Sequence, residues 1–332
     1  MATIKDVAKA AQVSIATVSR VANNGPKVGE KKRQKVLDVM QQLGYTPNAN
    51  ARALVTQKSS TLGVVIPELT DPFFASLANG VEQVARQENM QLLLSTGQLS
   101  AQTELQAIQL LIEQRCETMV VHSKKLNDAT LLGLAEKVPG LVLIDRRLPE
   151  IEHRCVWLDN LEGGKIAARY FLSLQHTNFA CINSHYEIDD PKIRLQGFKQ
   201  IIVESGHHID DQLIVNNEPS LKGGELAAQQ LLAKVQPFSC VFAYNDAMAI
   251  GAISVFEDNG FKIPGDISVI GFDDVLLSNY SRPKLTTLNY PIQEMAENAA
   301  RLALALNTKK NIKEAKHKYI PTLVKRESVS SV

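Results

Sequence analysis

Aromatic residues are scarce in this chain, at 5% of 332 residues, and only one of them is tryptophan. Cysteine is scarcer still. Cys116, Cys155, Cys181 and Cys240 stand far apart, mostly inside apolar runs and never with CxxC spacing. That spacing points away from zinc and redox chemistry and toward buried thiols of a cytosolic protein. No apolar run approaches the length of a membrane span, and the N-terminus carries no apolar leader. GxSxG, HExxH and a phosphate-binding loop are all missing, and the seven histidines are scattered. The expectation is a protein that is no enzyme and needs no metal or cofactor.

What is present is a globular composition, 45% apolar and 21% charged, in a length that suits a small head and two lobes. The net charge of +1 hides an asymmetry. Residues 1–60 hold ten Lys/Arg against three acids, whereas the remainder holds 26 basic and 32 acidic residues. A basic head on a mildly acidic body suggests a polyanionic partner at one end only.

The head reads as three short helices. Thr3 can cap the first, with Asp6 as capping-box partner, and Ile4, Val7, Ala8 and Ala11 recur at helical spacing. Gln12-Val13 forms a tight turn, and Ser14 caps the second helix. There Val18, Val21 and Ala22 share one face, while Ile15, Ala16, Ser19 and Arg20 share the other. Two short helices so closely joined form the helix-turn-helix pattern, whose second helix enters the DNA major groove; a generic three-helix bundle fits the same periodicity. Exposed Ile15 and Ala16 suit thymine methyls, and Arg20 suits a guanine edge. A third helix is expected from about Gly29 to Leu43, with Val36, Val39, Met40 and Leu43 inward and Gly44 ending it. Lys31, Lys32, Arg33 and Lys35 crowd its first turns against the helix dipole, which nearby phosphate would offset.

The run IKDVAKAAQVSIATVSRVANN, followed by LGYTPNANARAL, resembles without a gap the DNA-binding head of the LacI/GalR family of bacterial repressors. Within that family it looks most like the regulators of galactose genes. The resemblance implies that Ile15, Ala16 and Arg20 read bases and that Thr17, Ser19 and Asn23 approach phosphates. Thr3 and Ser14 complete the DNA-facing set. It further implies that Asn48 to Leu54 is a hinge helix ordered on operator DNA, with Leu54 a minor-groove wedge flanked by Asn50 and Arg52.

After Ser60, buried apolar runs alternate with amphipathic segments. The runs are 62–67, 90–95, 118–122, 141–145, 179–184, 240–244 and 267–272. Such alternation implies parallel sheets covered on both faces. With the resemblance, the expected fold is an N-terminal all-α helix-turn-helix head with a hinge helix, then a two-lobed α/β body like periplasmic binding proteins. The boundaries are 1–46 for the head, 47–60 for hinge and linker, 61–160 plus 292–325 for the first lobe, and 161–291 for the second.

Open parallel sheets bind ligands beyond the carboxyl ends of their strands. Those positions offer Phe73 and Phe74, Asp145-Arg146-Arg147, Asp189, Asp190 and Arg194, Asn245-Asp246, and Asp273-Asp274. Any one of them could be a helix cap or loop charge; their joint placement suits a neutral, hydroxyl-rich ligand. The family pattern singles out Phe73, Asp145, Arg194, Asn245 and Asp273, with Arg146, Asp190 and Tyr290 beside them. No aromatic contact is assigned in the loop 216–222.

The expected function follows. A dimer binds a palindromic operator in the cytoplasm, associated with the nucleoid when bound, and a sugar, galactose first, releases it. No leucine heptads follow VKRESVSSV, so a dimer rather than a tetramer is expected. Two other readings use the same body: a soluble sugar-binding protein of the transport type, and a regulator that takes a purine-like corepressor.

Overall fold

The computed structural model describes residues 2–23, 25–45, 61–234, 236–308 and 315–332. The chain divides into two units, Met1–Ser60 and Thr61–Val332.

In the first unit, helix α1 (Ile4–Ala11) starts from a complete capping box between Thr3 and Asp6. It ends where Gln12 turns left-handed (φ 55°) and the Val13 amide reaches back to the Ala8 carbonyl. Ser14 caps α2 (Ile15–Ala22) by accepting the Thr17 amide. Helix α3 (Glu30–Gln42) closes in a Schellman motif: Gly44 takes φ +59°, its amide bonds Gln41, and the Tyr45 amide bonds Met40. Val7, Ala8, Ala11, Val18, Val21, Val36 and Met40 form the small core. Two expectations change here. Leu43 is not part of the buried stripe; at the cap it is 41% exposed, and Tyr45 packs against the core instead. Arg33 turns its guanidinium to the Gly25 carbonyl at 2.7 Å, so it fastens the α2–α3 connection.

The second unit begins with β1 (Thr61–Ile66), α4 (Pro72–Gln87), β2 (Gln91–Thr96), α5 (Ala101–Glu113), β3 (Thr118–His122), α6 (Asp128–Lys137), β4 (Gly140–Ile144) and β5 (Cys155–Leu158). A second series follows: α7 (Asn160–Ser173), β6 (Phe179–Ser184), α8 (Asp189–Glu204), β7 (Ile214–Asn217), α9 (Leu221–Leu232), β8 (Cys240–Ala243), α10 (Asp246–Asp258), β9 (Ser268–Asp273), α11 (Leu276–Tyr280) and β10 (Thr286–Asn289). Helix α12 (Ile292–Thr308) then packs on α4, β3 and β4 of the first series. Two six-stranded sheets result. The first runs β2-β1-β3-β4-β5-β11, with β11 at Lys318–Tyr319; the second runs β7-β6-β8-β9-β10-β12, with β12 at Thr322–Val324. All pairings are parallel except β10 with β12. Every residue of β3, β4 and β6 is buried, as a sheet covered on both faces requires, which is why these strands are mostly apolar with no alternation.

The chain therefore passes between the sheets three times: after β5, after β10 and after β11. The span 292–325 expected in the first lobe runs one strand too far, because Thr322–Val324 pairs with β10 in the second sheet. A three-residue strand with an exposed first position carries no sign of which sheet it joins.

Helices α7 and α8 cross unusually closely. A Cβ on Gly164 would lie 2.0 Å from the Arg194 carbonyl oxygen, and one on Gly197 would lie 2.0 Å from that of Leu161. This crossing seats Asn160, Asp190 and Arg194 together. Gly164→Ala is expected to destabilise the body by about 1–3 kcal/mol through overpacking. Urea unfolding measures this, and a net gain, as helix propensity alone would give, would show that the crossing tolerates a methyl group.

Candidate nucleic-acid interface and ligand cleft

On the head, α2 presents Ile15 (46% exposed), Ala16 and Arg20 outward, with Ser19 and Thr17 half-buried beside them. Ser14 and Thr17 pair through their hydroxyls at 2.9 Å, and Asn23 donates to the Ser19 hydroxyl at 3.4 Å. The polar side chains flanking α2 are thus already oriented. Thr3 is occupied by its cap: its amide and hydroxyl donate to Asp6 at 2.8 and 2.7 Å, holding that carboxyl below its ordinary range. Asn48, Asn50, Arg52 and Leu54 lie outside the described residues.

In the body, the strand ends of both sheets line a cavity of about 110 Å³. Phe73, Asp145, Asp190, Arg194, Asn245, Asp273 and Tyr290 all face it. The Phe73 ring meets Tyr290 edge-on at 4.8 Å and Phe74 at 5.3 Å. The Tyr290 hydroxyl donates to the Asp145 carboxylate. Asn245 caps α10 by accepting the Met248 amide at 2.9 Å, and its amide nitrogen donates to the Pro219 carbonyl at 3.2 Å. Arg194 is anchored on three sides: Nε donates to Asn160 at 2.8 Å, one terminal nitrogen donates to the Tyr244 carbonyl at 2.7 Å, and the guanidinium lies 3.6 Å from the centre of the Phe272 ring. Asp273 stands 3.7 Å from it.

The backbone at the acids is strained. Asp145 (φ 58°), Asp273 (φ 107°) and Asp274 (φ 58°) all occupy the left-handed region at the ends of their strands, Asp273 as the last residue of β9. Such conformations cost of order 1–3 kcal/mol each and collect at binding sites. The two acidic doublets also split. Asp190 is buried while Asp189 is exposed, and Asp274 turns away from the cleft to Arg326 at 2.5 Å.

One residue that sequence reasoning passed over controls the electrostatics. Lys124, with 8% of its side chain exposed, stands 2.7 Å from both Asp145 and Asp190. Burial alone would push the Asp145 carboxyl up, but the Lys124 ammonium and the His122 bond outweigh it and hold the acid below its ordinary range. Burial dominates at Asp190, whose carboxyl is raised despite the same ammonium. At Asp273, too, burial outweighs Arg194. His122, Tyr186, Tyr244, Glu68, Asp71 and Glu218 also belong to the missed lining. Their signal was present, since Lys124 follows β3 as Asp145 follows β4. Arg146 requires a correction. It lies outside this cavity and donates to the carbonyls of Ser123 and Leu126 at 3.1 and 2.8 Å and to Asp128 at 2.7 Å. Two loop carbonyls and the Asp128 carboxylate at the start of α6 occupy its planar fork.

Comparison with known proteins agrees with both halves. Residues 3–48 match the model for bacterial regulatory proteins of the lacI family, and residues 168–329 match a periplasmic binding protein-like domain. The HTH-type transcriptional regulator GalR of Escherichia coli K12 is 48% identical over 331 residues, which cover 100% of this chain and 96% of that protein. This chain belongs to the LacI family of bacterial transcriptional regulators. GalS of Salmonella typhimurium LT2 is 43% identical over 99% of this LacI-family chain and 97% of its own length. Among solved structures, the lac repressor dimer bound to operator and the anti-inducer ONPF superposes with a TM-score of 0.88 over 99% of both chains, at 23% identity. The transcriptional regulator CelR–cellobiose complex gives 0.71 at 26% identity, covering 99% of this chain and 100% of CelR.

Behind the cleft of this LacI-family body, Asp246 is wholly buried. It accepts the Thr287 hydroxyl at 2.5 Å and the Val275 amide at 2.9 Å. Burial pushes its carboxyl up to about 7 from 3.8. A carboxyl raised in the folded state keeps its proton where the unfolded chain has lost it. Stability from this group is therefore full below about pH 4 and falls as pH rises to about 7, by roughly 4 kcal/mol. Asp246→Asn mimics the protonated form. It should match wild type near pH 4 and exceed it at pH 8 in urea unfolding; parallel curves across that range would mean Asp246 stays ionised.

Proposed function

We propose that this LacI-family chain represses sugar-utilisation genes as a dimer on a palindromic operator and is released when a neutral sugar, galactose first, is held between the lobes. The observation that carries the effector reading is the cleft's donor–acceptor set. Carboxylates on strained strand ends accept paired hydroxyl donors, Arg194 donates, and Phe73 and Tyr290 offer ring faces to a sugar's C–H side. Six acids, Glu68, Asp71, Asp145, Asp190, Glu218 and Asp273, line the cavity against two cations, Lys124 and Arg194. That excess favours an uncharged ligand over a phosphorylated one. Similarity to GalR and GalS supports the same choice, and the CelR–cellobiose complex is a related fold with a sugar as its ligand.

For the operator reading, the support is the exposed Ile15, Ala16 and Arg20 set on a preformed α2. One head reads too few base pairs for useful specificity, so two copies are needed. Exposed Leu276 (69%) and Tyr280 (71%) on α11 give a second copy an apolar surface to cover. The head also sets the chain apart from transport-type sugar-binding proteins, and it places the regulator's work in the cytosol, where the operator is.

In an operator-binding titration, galactose is expected to release wild type, whereas Asp273→Ala binds operator but ignores the sugar. Release of Asp273→Ala at the wild-type concentration would move the effector site elsewhere. Arg20→Ala should lose about 1–3 kcal/mol of operator affinity and relax the preference at one base pair. Uniform weakening across sequences would reduce Arg20 to a phosphate contact.

A further inference from the structure

Lys124 and Lys125 both reach from the first lobe to the second. The Lys124 ammonium stands 2.7 Å from Asp145 of its own lobe and 2.7 Å from Asp190 on α8. The Lys125 ammonium donates to the Glu187 carbonyl at 3.0 Å. The loop carrying these lysines is held from two sides. Glu104, 2% exposed, accepts the Ser123 hydroxyl at 2.5 Å and the amides of Lys124, Lys125 and Leu126 at 3.1–3.2 Å. Arg146 takes the opposite face, bonding the carbonyls of Ser123 and Leu126. Room for Glu104 depends on Gly97, where a Cβ would lie 2.7 Å from the Glu104 side chain. A carboxylate buried under a loop in this way, with every donor of the turn aimed at it, is costly unless all its bonds are made.

We propose that Glu104 and Arg146 are positioning residues that hold loop 123–126 as a rigid clasp, and that Lys124 on this clasp sets lobe closure by neutralising Asp145 and Asp190 across the seam. The proposal rests on the reading that a sugar is held by the closed cleft. Without the ammonium, two carboxylates face each other from opposite lobes, and their repulsion favours opening. A ligand that needs the closed form then binds more weakly in proportion to the lost closed population. Asn160 donates to Asp190 at 3.3 Å and cannot replace a charge.

The test measures galactose affinity by calorimetry on the full-length protein. Lys124→Gln is expected to lose tenfold or more. Adding Asp190→Asn removes the facing charge and lets two amides pair, so the double variant should bind galactose more tightly than Lys124→Gln alone. Glu104→Gln should lose less, and combining it with Lys124→Gln should add nothing further, because both act through one loop. Unchanged affinity in Lys124→Gln, no recovery in the double variant, or additive losses with Glu104→Gln would each overturn the proposal. If Lys124→Gln alone does not fold, the charge-balanced double variant decides: a folded protein that binds galactose supports the clasp, and one that folds without binding overturns it. Should wild type take no galactose at all, the effector assignment fails separately. Small-angle scattering without sugar then decides the clasp: a larger radius of gyration in Lys124→Gln supports it, and equal radii overturn it.

Discussion

An ionised carboxylate taken out of water costs several kcal/mol unless a counter-charge and a full set of hydrogen bonds go with it. The cleft of this chain buries Asp145, Asp190 and Asp273 on two separate lobes and sets two cations beside them. Lys124 serves the first two acids, and Arg194 stands by the third. Each cation must therefore be placed accurately. Arg194 is fixed by the glycine crossing of α7 and α8, by Asn160 and by the Phe272 ring. Lys124 is fixed by a loop whose amides end on Glu104 and whose carbonyls end on Arg146. Packing outside the cavity lining, at Gly97 and Gly164, is in this sense part of the binding site.

The same constraint explains why strain collects at the acids. A parallel sheet presents its strand ends to the crevice, but a carboxylate there reaches the seam only if the backbone turns sharply. Asp145 and Asp273 both do so in the left-handed region. That conformation is maintained by neighbours: Tyr290 and Lys124 at Asp145, and β10 beside the end of β9 at Asp273. A ligand that bridges the lobes exchanges some of these contacts for its own, and only the difference between the two arrangements is available to bias the protein. A buried set of opposed charges is well suited to that role, because small displacements change its energy steeply in a low dielectric.

Much of this was legible in the residues. Capping pairs and the 3.6-residue repeat located all three head helices, because each uses its own local chemistry. Continuous apolar runs located most strands, because burial on both faces leaves no alternation. What escaped was whatever depends on a neighbour distant in sequence. Four-residue strands such as Cys155–Leu158, Ile214–Asn217 and Thr286–Asn289 are too short for periodicity and exist because a sheet edge awaits them. Arg146 and Lys124 show the same limit at the site. Both follow strands of the first sheet and both are basic. The carbonyls of one loop draw Arg146 out of the cavity, whereas Asp190 on another lobe draws Lys124 in. Sequence position identifies the strand end but not the direction of the side chain.

The arrangement of carboxylates also suits holding a ligand. Acid–base chemistry by a carboxyl pair needs both groups near one reacting atom, one protonated and one ionised. Consecutive acids do not supply such a pair here, since Asp190 is buried while Asp189 is exposed, and Asp273 faces the cavity while Asp274 bonds Arg326. Asp145 and Asp190 come closer to it, with the first lowered and the second raised. Between them, however, sits the Lys124 ammonium, donating to both. That cation belongs to the protein and holds both carboxylates in place. Asp145 is further engaged by Tyr290. Carboxylates fixed in this way keep their remaining lone pairs aimed at the cavity, and fixed acceptors are what a site needs when its output is a change in lobe geometry.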